Sequence, residues 1–346
     1  MIQVKVDKRT ELLGIMLLIS DYSKKNSKLI EECGNKDYRD SILKNFSKFK
    51  EDITIKLLND IINNYCFNYD APIYLISQLN EDYSYDNLLD YPFRERLDGA
   101  KVVLDFLDSI KGFVKRINFD DFYNKNAKLY EKGIKQIETL IKNYDVVNFM
   151  KKFYQNDFES VKFTINLMFF ATRGNYGINI NNNFICNQCL YPSEKGDINF
   201  IDSVDNILTL YVHEFSHSVV NPLTRKFSKV KIKFFDNIVG KFGSYKTPET
   251  IIDEHIVRSV ELLFLKYFFK TNDNVNYFEK WKNDYKNIGF IYIEDVFSKL
   301  EYYFLNQNKF KSFEEYFPQI LKVFETKKED VWIILQAQRM KKLKKF

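Results

Sequence analysis

From about residue 8 to 160 apolar residues recur at three- and four-residue intervals, the spacing that gathers them on one face of a helix. The stretches 12-LLGIMLLISDYSKK-25, 40-DSILKNFSKFKEDITIKLLNDIINNY-65 and 99-GAKVVLDFLDSIKGFVKRI-117 carry the pattern most clearly. A short strand, 2-IQVKV-6, leads into the first of these as an amphipathic helix, and Pro and Asp punctuate the series at 70-DAP-72 and 90-DYPF-93. After Phe158 the texture changes. Residues 161-VKFTINLMFFATRGNYGINI-180 are rich in β-branched and aromatic side chains, an Arg-Gly-Asn segment breaks them, and 183-NFICNQCLY-191 follows. This predicts two or three strands in a small antiparallel sheet over 161–192. Helix returns near 203, with Asp202 or Ser203 as N-cap. It runs to 220, where Asn221-Pro222 should end it because proline cannot donate the next backbone hydrogen bond. A further helix opens at Thr247-Pro248 and runs to about 269, and the rest is again mostly helical.

The expected class is α+β, predominantly α-helical, with a helical N-terminal lobe over 1–160 and a second region over 161–346. The two should form one continuous unit. Composition agrees: 11 Gly and 6 Pro leave few tight turns, and 33 Phe with 23 Tyr supply ample material for a core. The balance of 52 basic and 47 acidic residues, net +5, is too small and too evenly mixed for a nucleic-acid partner. The basic tail 340-MKKLKKF-346 reads as a solvated helix terminus. No apolar run reaches the ~20 residues a membrane span needs, and the N-terminus lacks the features of a signal peptide. The chain as given reads as cytoplasmic, or as secreted or surface-attached had a leader been removed. Four cysteines, Cys33, Cys66, Cys186 and Cys189, make no disulfide framework. Cys186 and Cys189 have CxxC spacing but no second pair to complete a structural zinc site, so they read as two thiols in a strand pair.

One stretch carries chemistry. Two of the three histidines lie in 211-YVHEFSHSVVNPL-223, four residues apart with a glutamate between them. On a helix, residues four apart lie one turn above each other, so His213 and His217 present their imidazoles to one point. That suits a single tetrahedral zinc ion, with nitrogen ligands at ~2.0–2.1 Å. Glu214 lies about 100° round the helix, placed to take a proton from a water that the metal polarises and not to ligate the metal. The plainer reading is a core helix that happens to carry two histidines. The flanking Leu208, Leu210, Val212, Val219 and Val220 show a largely buried helix, in which two histidines and a glutamate are expensive unless something pairs with them.

Two ligands need a third. The stretch 247-TPETIIDEHIVRSVELLFLKYFF-269 is apolar almost all round, yet carries Asp253, Glu254, His255, Arg258 and Glu261. With Glu254 as zero, Arg258 lies at roughly 40° and Glu261 at roughly −20°, one polar stripe, with His255 about 100° off it. Glu254 is therefore the expected third ligand, with Arg258 and Glu261 steadying it. His255 would sit at the rim, available to substrate or to a transition-state oxyanion. The competing assignment makes His255 the ligand.

These residues resemble the gluzincin branch of the zincin metallopeptidases, in which HExxH is followed by a downstream helical glutamate. Metzincins fit poorly, because they require Gly at 220 and His at 223 where this chain has Val220 and Leu223. HEFSHSVVNP and EHIVRS, with 11-ELLGIMLLIS-20, 175-NYG-177 and 312-SFEEYFPQI-320, are similar to a bacterial domain-of-unknown-function family of zinc peptidases, and the likeness spans nearly the whole chain. The resemblance implies a zincin-like two-lobed fold, frequent export, and an edge strand that pairs with substrate. That strand would be 175-NYGINI-180, with Asn175, Tyr176 and Gly177 near the cleft, or its neighbour 183-NFICNQ-188. Tyr176 also reads simply as an aromatic packed beside a Gly turn. Such enzymes usually employ a tyrosine or histidine at the oxyanion, and Tyr211, Tyr245, His255 and Tyr302 are the candidates. The expected function is a zinc-dependent peptidase with one Zn²⁺ per chain and a peptide or protein substrate. The alternatives are a zinc hydrolase of a non-peptide amide or ester, and a catalytically silent metal-binding scaffold.

Overall fold

Asp7 turns the first strand into the first helix. Its side chain accepts from the Arg9 backbone N–H at 2.9 Å, capping a helix over Lys8–Ile19 (α1). The preceding strand Ile2–Lys5 (β1) enters a four-stranded sheet with Lys162–Met168 (β2), Tyr176–Ile180 (β3) and Asn183–Cys189 (β4). We describe a computed structural model over residues 2–25, 35–169, 174–191, 198–228, 247–270 and 275–324. Cys33, Tyr245 and the basic tail lie outside the described residues.

The protein is mostly helical with this one small sheet, as expected for an α+β chain. The sheet is mixed, however, not antiparallel. Its order is β1-β2-β4-β3, with β1 and β4 parallel to β2 and only β3 antiparallel to β4. The β3–β4 hairpin is local: Asn181 and Asn182 both adopt positive φ (51° and 60°), the conformation a two-residue hairpin turn demands and asparagine tolerates. It makes β3 and β4 antiparallel neighbours; β4, running in the direction of β2, takes the interior place and β3 the edge. Burial agrees: Phe184–Gln188 of β4 are buried, whereas in β3 only Ile178 is.

The chain divides into two compact units, residues 1–143 with 161–204, and residues 144–160 with 205–346. The sheet thus groups with the N-terminal helices instead of with the HExxH segment, as the boundary expected at 160 had it. In the first unit α1 is not amphipathic but buried on all sides from Thr10 to Ile19. Its polar groups are met internally. The Glu11 carboxylate accepts from the Phe169 N–H at 2.8 Å and from the Tyr38 hydroxyl at 2.7 Å. Asn166 of β2 accepts from the Asp7 N–H at 2.9 Å and donates to Asn187 of β4 at 2.8 Å, which donates to the Tyr176 carbonyl at 3.2 Å. A buried polar row of this kind specifies strand register, because a one-residue slip would leave every member unsatisfied.

Among the described residues the second unit is helical: Val146–Tyr154, Val204–Ser228, Pro248–Tyr267, Tyr277–Ile288, Ile293–Leu305 and Phe313–Leu321. Among the described residues the helices of five or more residues between α1 and this unit are Asp21–Lys25, Lys36–Phe46, Ile53–Asn64, Ala71–Ser77, Lys101–Arg116, Phe119–Lys125 and Ala127–Ile141, with a single turn at Asp90–Phe93 left unnumbered. In chain order these are α2 to α8, and the six helices of the second unit are α9 to α14. Helix α10 (Val204–Ser228) does not stop at Asn221-Pro222. Pro222 removes one helical hydrogen bond, at a cost of about 3 kcal/mol, but the turn beyond it is held by tertiary contacts: Thr224 is fully buried and the Phe227 ring meets Phe317 at 6.0 Å. Among the described residues no helix is long and apolar enough to cross a membrane.

Burial works to raise the Asp7 carboxyl, but Arg9 and Lys5 hold it well below the usual carboxylate range. A folded-state value below the unfolded ~3.9 contributes stability that is complete above ~3.9, declines as pH falls below it, and is gone once pH has passed through the folded value. Asp7→Ala should therefore cost about 2 kcal/mol at pH 7, and the gap to wild type should shrink at pH 3. Urea unfolding at the two pH values tests this; an equal gap at both would refute the ion-pair account.

Candidate metal centre

Helix α10 is pinned near its start by Asp205, whose carboxylate accepts from the Trp281 indole N–H at 2.9 Å. Two turns on, it stacks the two imidazoles as the spacing requires. His213 Nε2 and His217 Nε2 are 3.0 Å apart, with ring centroids at 4.6 Å and planes at 82°. Helix α11 (Pro248–Tyr267) starts with Thr247 as cap, its hydroxyl accepting from the Thr250 N–H at 3.2 Å, and Pro248 at the first position. It delivers Glu254, whose Oε2 lies 3.9 Å from His213 Nε2 and whose Oε1 lies 3.7 Å from His217 Nε2. One ligand atom from each of the three residues falls within 4.8 Å of the others. A tetrahedral ion with ligands at ~2.0–2.1 Å separates its donors by about 3.3–3.4 Å; the imidazole nitrogens at 3.0 Å lie a little inside that edge, and the carboxylate oxygen nearest each of them, at 3.7 Å (Oε1) and 3.9 Å (Oε2), a little outside it.

The surroundings decide which nitrogens face inward. His213 Nδ1 is 2.6 Å from Glu261 Oε1, and His217 Nδ1 is 3.0 Å from the Asn221 side-chain oxygen. With Glu261 ionised both partners are acceptors, a setting that favours protons on Nδ1 of both histidines and turns the Nε2 lone pairs toward each other. Two such lone pairs at 3.0 Å repel unless a proton or a metal ion lies between them. The donor set, two neutral imidazoles and a carboxylate, is one that zinc favours. His213 is held well below the usual histidine range by burial and by its neighbour His217, a state that keeps its imidazole neutral, as a metal ligand must be. Burial works to lower His217 as well, but the carboxylates of Glu254 and Glu214 outweigh it and raise the group. Glu214, itself buried, thus lies near enough to act on the His217 ring without belonging to the three-residue set.

Arg258 ties the carboxylates together. Its guanidinium is 3.1 Å from Glu254 Oε2 and 4.0 Å from Glu261 Oε1. It lies over the rings of Phe290 (4.7 Å) and Tyr285 (5.1 Å). Holding Oε2 in this way leaves Glu254 to offer Oε1. Burial pushes the Glu261 carboxyl up to about 8, against the pull of Arg258 and of the Tyr285 hydroxyl, which donates to Oε2. A dication on His213 would favour the carboxylate form, the form that accepts from Nδ1–H.

Other expectations fare differently. His255 is not at a rim: it is fully buried, with Nδ1 donating to the Ile251 carbonyl at 2.7 Å and its ring among Phe290, Tyr292 and Phe324. Burial lowers it to about 4, so it is a neutral core histidine and stands outside the converging set. Tyr211 is also fully buried, two residues before His213 and so about 200° round the helix from it. Tyr302 is on α13 (Ile293–Leu305) with 48% of its surface exposed. Asn175, Tyr176 and Gly177 belong to the first unit, at and just before β3, which is an edge strand. The alternative edge, 183–188, is paired on both sides. Cys186 and Cys189 lie three apart on β4 and so face opposite sides of the sheet; Cys186 is buried, and Cys189 donates to the Gly174 carbonyl at 2.8 Å. They do not form a chelating pair.

Two supporting residues are not marked by the sequence pattern as part of the site. Asn221 reads there only as a helix stop, although its place four residues after His217 is itself a signal. Tyr285 lies on α12 (Tyr277–Ile288), 24 residues from Glu261, with no periodicity linking the two.

Residues 2–323 match the family described as a domain of unknown function (DUF4932), and the chain belongs to that family. No curated protein and no solved structure matches it.

The two assignments of the third ligand predict opposite outcomes. Glu254→Ala should lose bound metal, whereas His255→Leu should keep it and give up about 1–2 kcal/mol of stability with its buried hydrogen bond. Metal analysis of the two purified variants decides the matter, and loss of metal in His255→Leu alone would reverse the assignment.

Proposed function

We propose that this member of the DUF4932 family is a zinc-dependent metallopeptidase of the gluzincin type, with His213, His217 and Glu254 as ligands and Glu214 as general base. The observation that carries the reading is the convergence of those three ligand atoms within 4.8 Å, on two buried helices, with a second carboxylate, Glu214, beside them that is not part of the set. Zinc held there supplies Lewis acidity to a water and to a substrate carbonyl. His213 and His217 bind it as neutral Nε2 donors, their tautomers set by Glu261 and Asn221. Glu254 contributes one negative charge, with Arg258 occupying its second oxygen. Glu214 takes the proton of the attacking water and returns it to the departing amine.

A purely structural metal site has no use for a general base, so the intact Glu214 favours an enzyme over a silent scaffold. The zincin-like two-lobed fold and the peptide substrate belong to the same proposal, by resemblance in HEFSH and EHIVRS. A non-peptide amide or ester would call on the same residues.

Incubation of the zinc-loaded protein with a mixed peptide library, read by mass spectrometry, tests the proposal. Wild type should cleave, and Glu214→Gln should be slower by about 10²–10⁴ while retaining about one zinc per chain. A variant that cleaves as fast as wild type, or a zinc-loaded wild type that cleaves nothing, overturns it.

A further inference from the structure

Glu261 is held from two sides. One oxygen, Oε1, faces His213 Nδ1 at 2.6 Å, and the other, Oε2, accepts from the hydroxyl of Tyr285. Tyr285 is 3% exposed and reaches this place from α12, a helix that contributes no ligand. Its ring lies under the Arg258 guanidinium at 5.1 Å, and Arg258 in turn meets Glu254 Oε2 at 3.1 Å. One tyrosine therefore bears on two of the three ligand residues, through its hydroxyl on His213 and through its ring on Glu254.

Resting on the zinc reading above, we infer that Tyr285 is a positioning residue of the metal centre. Its hydroxyl fixes the rotation of the Glu261 carboxylate so that Oε1 stays on His213 Nδ1. That keeps the His213 proton on Nδ1 and the Nε2 lone pair on the metal. A core tyrosine needs its ring for packing, but a buried hydroxyl is costly unless it is bonded, and this one is spent on a buried carboxylate. Without it, Oε2 has no tyrosine donor and the carboxylate is free to turn about its terminal bond. The acceptor then tilts away from Nδ1, and His213 is no longer confined to one tautomer or one ring orientation. Partners of this outer kind change metal affinity by about 10–100-fold.

Tyr285→Phe keeps the ring over Arg258 and removes only the hydroxyl. Metal-free protein is titrated with zinc against a chromophoric chelator, and the cobalt-substituted protein gives a visible spectrum. The expected result is zinc affinity about 10–100-fold weaker and shifted cobalt bands, with the melting temperature of the metal-free form close to wild type. Tyr303→Phe, which removes another buried-ring hydroxyl in the same unit, bonded to Gln155 at 2.8 Å, should leave affinity and spectrum unchanged. On a Glu261→Gln background Tyr285→Phe should add little further loss, because the hydroxyl acts through Glu261. Wild-type affinity and spectrum in Tyr285→Phe, or in Glu261→Gln, overturn the inference and leave the zinc site standing. A wild type that binds no zinc overturns the zinc site itself.

Discussion

Two imidazole nitrogens held 3.0 Å apart in a buried place, each ring with its Nδ1 facing an oxygen on the far side, are the constraint on which the site in the second unit depends. With both Nε2 lone pairs turned inward the arrangement is repulsive unless a proton or a metal ion lies between the rings. The groups around it fit that condition. A continuous helix supplies the one-turn spacing, Asn221 on the same helix and Glu261 on the next set the tautomers, and Glu254 brings a compensating negative charge. Arg258 keeps two buried glutamates from repelling each other, and Phe290 and Tyr285 shield it.

Helix α11 shows how much a single element can carry. From Ile251 to Leu265 all but Arg258 is buried, yet that run includes Asp253, Glu254, His255 and Glu261. Each polar group is tolerable only in its own local setting. His255 stays neutral at the price of one bond to a backbone carbonyl and an aromatic cage. Glu254 and Glu261 share the guanidinium one turn and less than one turn away. Two residues that are adjacent in the chain, Glu254 and His255, thus end in different environments because a helix turns about 100° per residue.

The first unit meets the same problem with neutral groups. Asn166 and Asn187 stand opposite each other on β2 and β4 and link the start of α1 to the edge strand. Acids of the same unit are enclosed as well: Glu11 by a backbone N–H and a tyrosine hydroxyl, and Asp7 by Arg9 and Lys5. Gly133 on α8 (Ala127–Ile141) marks a different limit, since an added Cβ would lie 2.8 Å from the Phe200 ring and 3.1 Å from that of Phe169. Close approach of helix and ring, not backbone freedom, explains that glycine.

Periodicity and spacing alone were enough for the helical character, the strands at 2–6 and 161–191, the HExxH pair and the Glu254–Arg258–Glu261 stripe. All of these are local geometry: residues three, four or seven apart on a helix, or alternate residues on a strand, have their relative directions set by backbone dihedrals. What sequence could not supply was long-range. The order β1-β2-β4-β3 depends on which strand buries more surface. The passage of α10 through Pro222 depends on burial beyond it, and the isolation of His255 depends on rings from 290, 292 and 324. Tyr285 on Glu261 depends on how α12 docks against α11. In each case a local preference met a larger energy from packing between distant segments, and no regular interval along the chain encodes which distant segment that is.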